Sequence, residues 1–314
     1  MSSNNGQRPV DEELGQSLSP GPVVERLDEL IGNSPIVRLE KLGADEGPPI
    51  YVKMENLNPS GSIRDRYIAE ILERAVAAGT LVPGDKVALA GIDDSAVAAA
   101  MFAGLLGIET RVFAPEEGGE RLLPMIEEYG ATVVRTEADG GLGGAVDEAA
   151  AWARKRADRM YVDGYRREAV RDAYAGMAAE ILQALEGRKL GAFITSISTG
   201  GTFRNVAREL RETRPTLNVG GAILGDLELP DIREHQFNVL ERYSVDDAFR
   251  WRDRVAQTEG LILGPKGAVC IGLAVELQQR LDSDEVIVAL NPDAGQRYLG
   301  REDDVEYSGR STPA

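Results

Sequence analysis

Asn58-Pro59-Ser60-Gly61-Ser62-Ile63-Arg64-Asp65-Arg66 is the stretch on which the reading of this chain turns. It follows a predicted strand, Ile50 to Met54, and centres on a guanidinium. Arginine stays protonated and delocalised at any workable pH, so Arg64 cannot become the neutral amine that a desolvated lysine offers. Read alone, Arg64 is a surface or salt-bridged side chain beside Asp65. A second stretch, Ser198-Thr199-Gly200-Gly201-Thr202, follows the apolar run Gly191 to Ile197 and precedes a helical pattern from Phe203 to Arg211. Strand, glycine-rich turn and helix N-terminus together form a cradle for phosphate or another small anion, because backbone N–H groups and the helix dipole both favour negative charge there. Such turns also occur for packing alone.

With Ile31-Gly32-Asn33-Ser34-Pro35-Ile36-Val37-Arg38-Leu39, Glu259 to Gly264 with Gly267-Ala268, and Val286 to Leu299, these stretches resemble the cysteine synthase and cystathionine β-synthase family of pyridoxal-phosphate (PLP) enzymes. That family is of fold type II, the tryptophan synthase β-like architecture. The matches run from about residue 23 to Leu299 in the family's order. The resemblance implies an α/β, two-lobed fold with parallel-type sheets flanked by helices. A smaller lobe, residues 46–157, is inserted in a larger one made from 21–45 and 158–300, with tails at 1–20 and 301–314. It also implies a homodimer, with the cofactor in the cleft between lobes. In the family, the place of Arg64 belongs to the lysine that forms an imine with PLP, which makes this chain a degenerate member.

The departures cluster where the family's chemistry lies. After Val87-Ala88-Leu89-Ala90 the family carries a neutral loop that binds the substrate carboxylate and supports the PLP ring through an asparagine. Here the run is Gly91-Ile92-Asp93-Asp94-Ser95-Ala96, with Asp94 at the asparagine's place. Two acidic groups repel a carboxylate or phenolate, so amino-acid binding in the usual pose is not expected. Alternatively the two aspartates cap a helix starting near Ser95. At the pyridine end, the family's serines between two glycines give way to Gly264-Pro265-Lys266-Gly267, where Lys266 either faces solvent or fills cofactor space. Ser198 stands where the family has glycine. Lys53, beside Glu55, reads as a structural ion pair and is the other lysine near the lost position. The charged run Asp163 to Asp172 reads as a solvent-facing helix.

Composition bounds the rest. The 314 residues carry a formal net charge of −17 and a single cysteine, Cys270. No basic patch suits nucleic acid or an anionic membrane. No apolar run reaches bilayer length and no signal peptide is evident, so a cytoplasmic protein is expected. One cysteine excludes an intrachain disulfide, and the only histidine, His235, is remote from the acidic loop, so no metal site is expected. Cys270 reads as core, and Gly140-Gly141-Leu142-Gly143-Gly144 as a flexible turn before a helix from Ala145 to Arg156.

Three functions follow from the resemblance and its departures. In the first, a cysteine synthase-like pseudoenzyme binds a protein partner, such as a pathway enzyme or active paralogue, or acts as a regulatory paralogue. In the second, the cleft is rebuilt for a PLP-independent reaction or a small anionic ligand, with Arg64, Arg66, Lys53 or Lys266 as cationic contacts and Asp93 or Asp94 as general base. The third is a β-replacement transferase or lyase with PLP held non-covalently. The catalytic-position candidates are thus Arg64, Asp93, Asp94 and Ser95, and the cofactor- or anion-position candidates are Ser198 to Thr202 and Lys266.

Overall fold

The computed structural model describes residues 23–43, 47–164, 167–198, 200–226, 236–282 and 284–300. The expected tails, His235, Thr199, and Tyr165 and Arg166 of the charged run lie outside the described residues. In chain order the elements are β1 (Ile36–Arg38), β2 (Ile50–Met54), α1 (Arg64–Ala77), β3 (Lys86–Ala90), α2 (Asp94–Leu105), β4 (Glu109–Pro115), α3 (Leu123–Glu128), β5 (Thr132–Thr136), α4 (Gly141–Arg154), β6 (Arg159–Tyr161), α5 (Arg167–Ala184) and β7 (Lys189–Ile197). There follow a π-helical turn (Phe203–Ala207) continuing into α6 (Arg208–Thr213), β8 (Asn218–Leu224), β9 (Val239–Tyr243), α7 (Val245–Glu259), α8 (Pro265–Gln278) and β10 (Glu285–Asn291).

The strands form two sheets, one of six in the order β1-β2-β10-β7-β8-β9 and one of four in the order β5-β4-β3-β6. Among the described strands only the β1–β2 pair is antiparallel, and the other strand pairs are parallel. Parallel strands covered on both faces read as continuous apolar runs, as β7 and β10 do. Along β7, Phe193 faces the core shared with α1 and α5, whereas Ala192 and Ile194 face the core under α7 and α8. In the smaller sheet, Ala88 and Phe113 pack on Ala145 and Ala149 of α4, while Val112 packs with Ala96, Val97 and Ala100 of α2 on the other face. The α/β architecture of the sequence reading is thereby found.

Helix ends explain several boundaries. Ser244 caps α7 in a capping box with Asp247, and Gly260 closes that helix at φ 75°. Pro265 opens α8, where its missing N–H costs nothing. Three local expectations need correction. Gly141 to Gly144 is the first turn of α4 rather than a turn before it, since that end is held by packing of Ala145 rather than by propensity. The run ending at Asp172 is not simply solvent-facing, because Ala169, Val170 and Tyr174 of α5 are buried. Strand β2, expected within the 46–157 insert, pairs with β10 in the six-stranded sheet, and β6, expected outside it, pairs with β3.

Candidate active-site cleft

The ends of β7 and β10 and the loop after β3 contribute residues to one cavity, the kind of place where open α/β sheets receive ligands. Three loops meet there. The segment Asn58 to Ile63 lies against Pro292–Ala294: the Ile63 N–H donates to Pro292 O at 2.8 Å, and the Ala294 N–H to Gly61 O at 3.1 Å. Gly61 sits at φ 88°, and a Cβ there would run into the Arg297 guanidinium. The positive φ is what requires glycine, and a side chain there would also displace the Arg297 guanidinium. Asn58 holds the loop from beneath, accepting the Gly32 N–H at 2.8 Å and donating to Glu55 O at 2.8 Å.

Arg64 opens α1, half-buried, with its guanidinium 5.8 Å from the Tyr67 ring centre. Burial works against its charge, but the Tyr67 and Tyr174 hydroxyls and the Asp93 and Asp94 carboxylates more than offset that and raise its proton affinity. It does not pair with Asp65. That carboxylate is fully buried and accepts the Ser60 N–H at 2.6 Å and the Ser60 hydroxyl, and burial pushes its pKa up to about 6.

The two aspartates of the acidic loop have separate tasks. Asp93 caps α2, accepting the Ser95 N–H at 2.9 Å and the Ala96 N–H at 3.1 Å, so the capping reading holds for it. Burial raises its pKa despite Arg64 nearby. The Ser95 hydroxyl donates to Asp93 at 3.2 Å and accepts from the Tyr67 hydroxyl at 2.6 Å. Asp94 instead accepts from Arg297, which also donates to Ser60 O.

Lys53 is out of reach of the cleft. Its ammonium is 1% exposed, donating to Ser34 O at 2.7 Å and to Glu180 at 2.5 Å, with Glu55 at 4.0 Å. Arg66 grips the same two carboxylates, at 2.6 Å to Glu55 and 2.7 Å to Glu180. Burial disfavours the Glu180 charge, but Arg66 and Lys53 outweigh it and hold its pKa at about 2. The structural-pair reading of Lys53 is right and incomplete, because Glu180 on α5 carries no sequence signal and reaches the pair only through the fold.

A cavity of about 30 Å³ is lined by Arg64, Asp94, Thr195, Ser196, Ser198, Thr202, Lys266 and Asp293, with Ile63, Leu290 and Pro292 completing its wall. The fold thus brings together five of the candidate residues, Arg64, Asp94, Ser198, Thr202 and Lys266. Asp93 and Ser95 are not among its lining residues. Sequence reasoning passed over Asp293, although it stands inside the quoted Val286 to Leu299 match. Asp293 is 2% exposed, accepts from the Tyr298 hydroxyl, and has its other oxygen, Oδ1, without a hydrogen bond. Burial and the facing Asp94 raise its pKa against the pull of Lys266. Arg121 lies 4.1 Å over the Tyr298 ring.

The profile of the family described as "Pyridoxal-phosphate dependent enzyme" matches residues 27–293. The chain belongs to the pyridoxal-phosphate dependent enzyme family. Within this family it is cysteine synthase-like. It is 30% identical over 301 residues to the probable cysteine synthase of Bacillus subtilis (strain 168), covering 88% of this chain and 96% of the relative. Cysteine synthase B of Escherichia coli (strain K12) is 28% identical over 286 residues, covering 87% and 94%. Among solved structures, O-ureido-L-serine synthase superposes with a TM-score of 0.80 at 25% identity over 92% of this chain and 98% of that one. The cysteine synthase of Entamoeba histolytica gives 0.82 at 20% identity over 94% and 96%, a likeness of fold. Among the described residues, no helix is long and apolar enough to cross a membrane.

Does the cleft of this PLP-family member suit the family's cofactor? The described part of the 198–202 segment fits an anion: Gly200 takes φ 75°, and Gly201 begins a helical run to Thr213. The space beyond it does not suit the ring. A cavity of about 30 Å³ holds a few waters or a small ion, and it is bordered by two cations and two carboxyl groups rather than by neutral donors.

Proposed function

We propose that this chain is a cysteine synthase-like pseudoenzyme that has lost the PLP-binding lysine, with Arg64 in its place. It works as a cytoplasmic homodimer that binds a protein partner, an active paralogue or an enzyme of the same pathway, or acts as a regulatory paralogue. The observation that carries this reading is the arrangement of amines around the cleft. At the head of α1 the cleft meets a guanidinium, which cannot form an imine. The nearest lysine in sequence, Lys53, is enclosed by Ser34, Glu180 and Glu55. Burial lowers its proton affinity, and the Glu180 and Glu55 carboxylates engage its ammonium.

The acidic groups support the same reading. An amino-acid carboxylate entering this cleft meets Asp94 and Asp293. Asp94 stands where the family resemblance puts a neutral asparagine, so an acceptor replaces a donor that would hold that carboxylate, which works against β-replacement chemistry.

The test is to incubate the purified protein with PLP, record visible absorbance before and after borohydride, and measure intact mass. Neither an absorbance band nor a trapped adduct is expected. An adduct on Lys266, Lys53 or any other lysine would sink the pseudoenzyme reading and restore a transferase or lyase.

A further inference from the structure

The short turn Gly295–Tyr298 after β10 is held at two successive residues by groups from the other sheet. Arg297 donates to Asp94, which opens α2, and the Arg121 guanidinium lies 4.1 Å over the Tyr298 ring. Asp94 follows β3 and Arg121 follows β4, so both grips come from the four-stranded sheet, whereas the turn follows a strand of the six-stranded one. On its own side the turn is fixed: Arg297 also donates to Ser60 O, and the buried Tyr298 hydroxyl donates to Asp293.

The other junction between the sheets is of a different kind. There Ile68 and Leu72 of α1 share one apolar core with Met101 and Phe102 of α2 and with Met177 and Ile181 of α5. Apolar packing is non-directional and tolerates small sliding of packed helices. An ion pair and a cation–π stack do not, because both are lost as the partners separate. The helix junction is therefore a pivot, and the contacts at 297 and 298 are what a rotation about it must break.

Arg121 is poorly secured in its stacked position. Its Nε and Nη1 are buried without a hydrogen bond among the described residues, so stacking holds it rather than hydrogen bonding. Buried donors left unmatched work against that position. Gly118 and Gly119, just before it, take φ 93° and 82°, and Arg135 pins the base of the loop by donating to Pro115 O at 2.8 Å.

We propose that the Gly295–Tyr298 turn is a clasp: Asp94 and Arg121 hold it to the four-stranded sheet and keep the cleft shut, and their release opens the cleft by rotation about α1. With the clasp closed the cavity measures about 30 Å³, room for a few waters or a small ion. Anything larger reaches Arg64 and Lys266 only after release. The clasp does not depend on whether Arg64 excludes a cofactor.

The test labels the lysines of the full chain with an acylating reagent and reads each one by peptide mass. Lys266 lines the cavity and is half-buried, while Lys53, 1% exposed, is the control for general loosening. In the Arg121→Gln/Arg297→Gln double variant, the labelling rate of Lys266 is expected to rise about tenfold, with Lys53 unchanged. Losing two cations tightens the proton's hold on Lys266 and slows acylation, so a rise reports access. An unchanged Lys266 rate overturns the clasp. So does a parallel rise at both lysines, which would make these contacts ordinary supports of the fold. Should the variant fail to fold, native-state hydrogen exchange of the unaltered protein in subdenaturing urea decides. The amides of Ala96 and Arg297 are expected to exchange through one shared opening that leaves β7 and β10 protected; separate openings, or exchange only with those strands, overturn the proposal.

Discussion

Arg297 pairs with Asp94 across the two sheets. The arginine follows β10 of the six-stranded sheet, the aspartate opens α2 beside the four-stranded one, and both side chains are largely buried, at 8% and 16% exposure. The same guanidinium donates to Ser60 O, so three loops of the cleft share one cation.

Removing either partner leaves the other poorly solvated. Arg297→Ala is expected to lower stability by about 3 kcal/mol in urea denaturation. The Asp94→Ala/Arg297→Ala double variant should lose clearly less than the sum of the single losses, as coupled groups do. Additive losses would show that the pair does not form in solution.

Placing an amine at position 64 is expected to be insufficient for imine formation. Arg64→Lys, mixed with PLP and borohydride, should yield no covalent adduct, because Lys266, Asp94 and Asp293 still border the ring space. Intact mass reads the result directly, and an adduct from this single change would mean that the rest of the site is intact.

Two carboxyl groups set opposing pH limbs. Glu180 is held at about 2, below its unfolded value near 4.5, so its contribution is present above pH 4.5 and is lost as pH falls toward 2. Asp65 is raised from 3.8 to about 6, so the folded state binds the extra proton between those values and stability falls as pH rises through them. The combined contribution of these two groups is expected to peak at roughly pH 4 to 5. Asp65→Asn should flatten the limb above that maximum, and Glu180→Gln the acid limb, as measured by melting temperature against pH.

Gly295 has no room for a side chain. A Cβ there would meet the Ile262 and Leu263 carbonyl oxygens, which are backbone and cannot rotate away. Gly295→Ala is expected to cost about 1–3 kcal/mol in chemical denaturation. It should also loosen Arg297 two residues on, which a double variant with Asp94→Ala would register as coupling.

Cys270 is fully enclosed in the core under α7 and α8, and burial raises its thiol pKa. A thiolate-directed reagent is expected to label one thiol in denaturant and none in the native protein. Rapid native labelling would mean that α8 opens.

Much of this was legible along the chain. Strand β2 has the bounds read from its apolar run, and β7 begins only slightly before the run Gly191 to Ile197, because buried parallel strands need long apolar runs whatever their partners. Cap chemistry was half legible: Asp93 caps as its type and position suggest, while Asp94 beside it does not. Glu180 and Asp293 gave no comparable signal. Glu180 meets Lys53, and Asp293, besides its local bond from Tyr298, faces Asp94, both far away in sequence, and no periodicity encodes which distant charge a helix or strand end will meet.

The sequence by itself determined the α/β class, the family, and the presence of a guanidinium at the head of α1, since these depend on local periodicity and on the identity of a side chain. Only the tertiary structure decided that Lys53 is enclosed while Lys266 lines the cleft, and that Asp94 serves Arg297 rather than a helix end. Burial and ion pairing belong to surfaces brought together by folding, and the same lysine is a buried strut or an available cation according to which carboxylates the other elements bring to it.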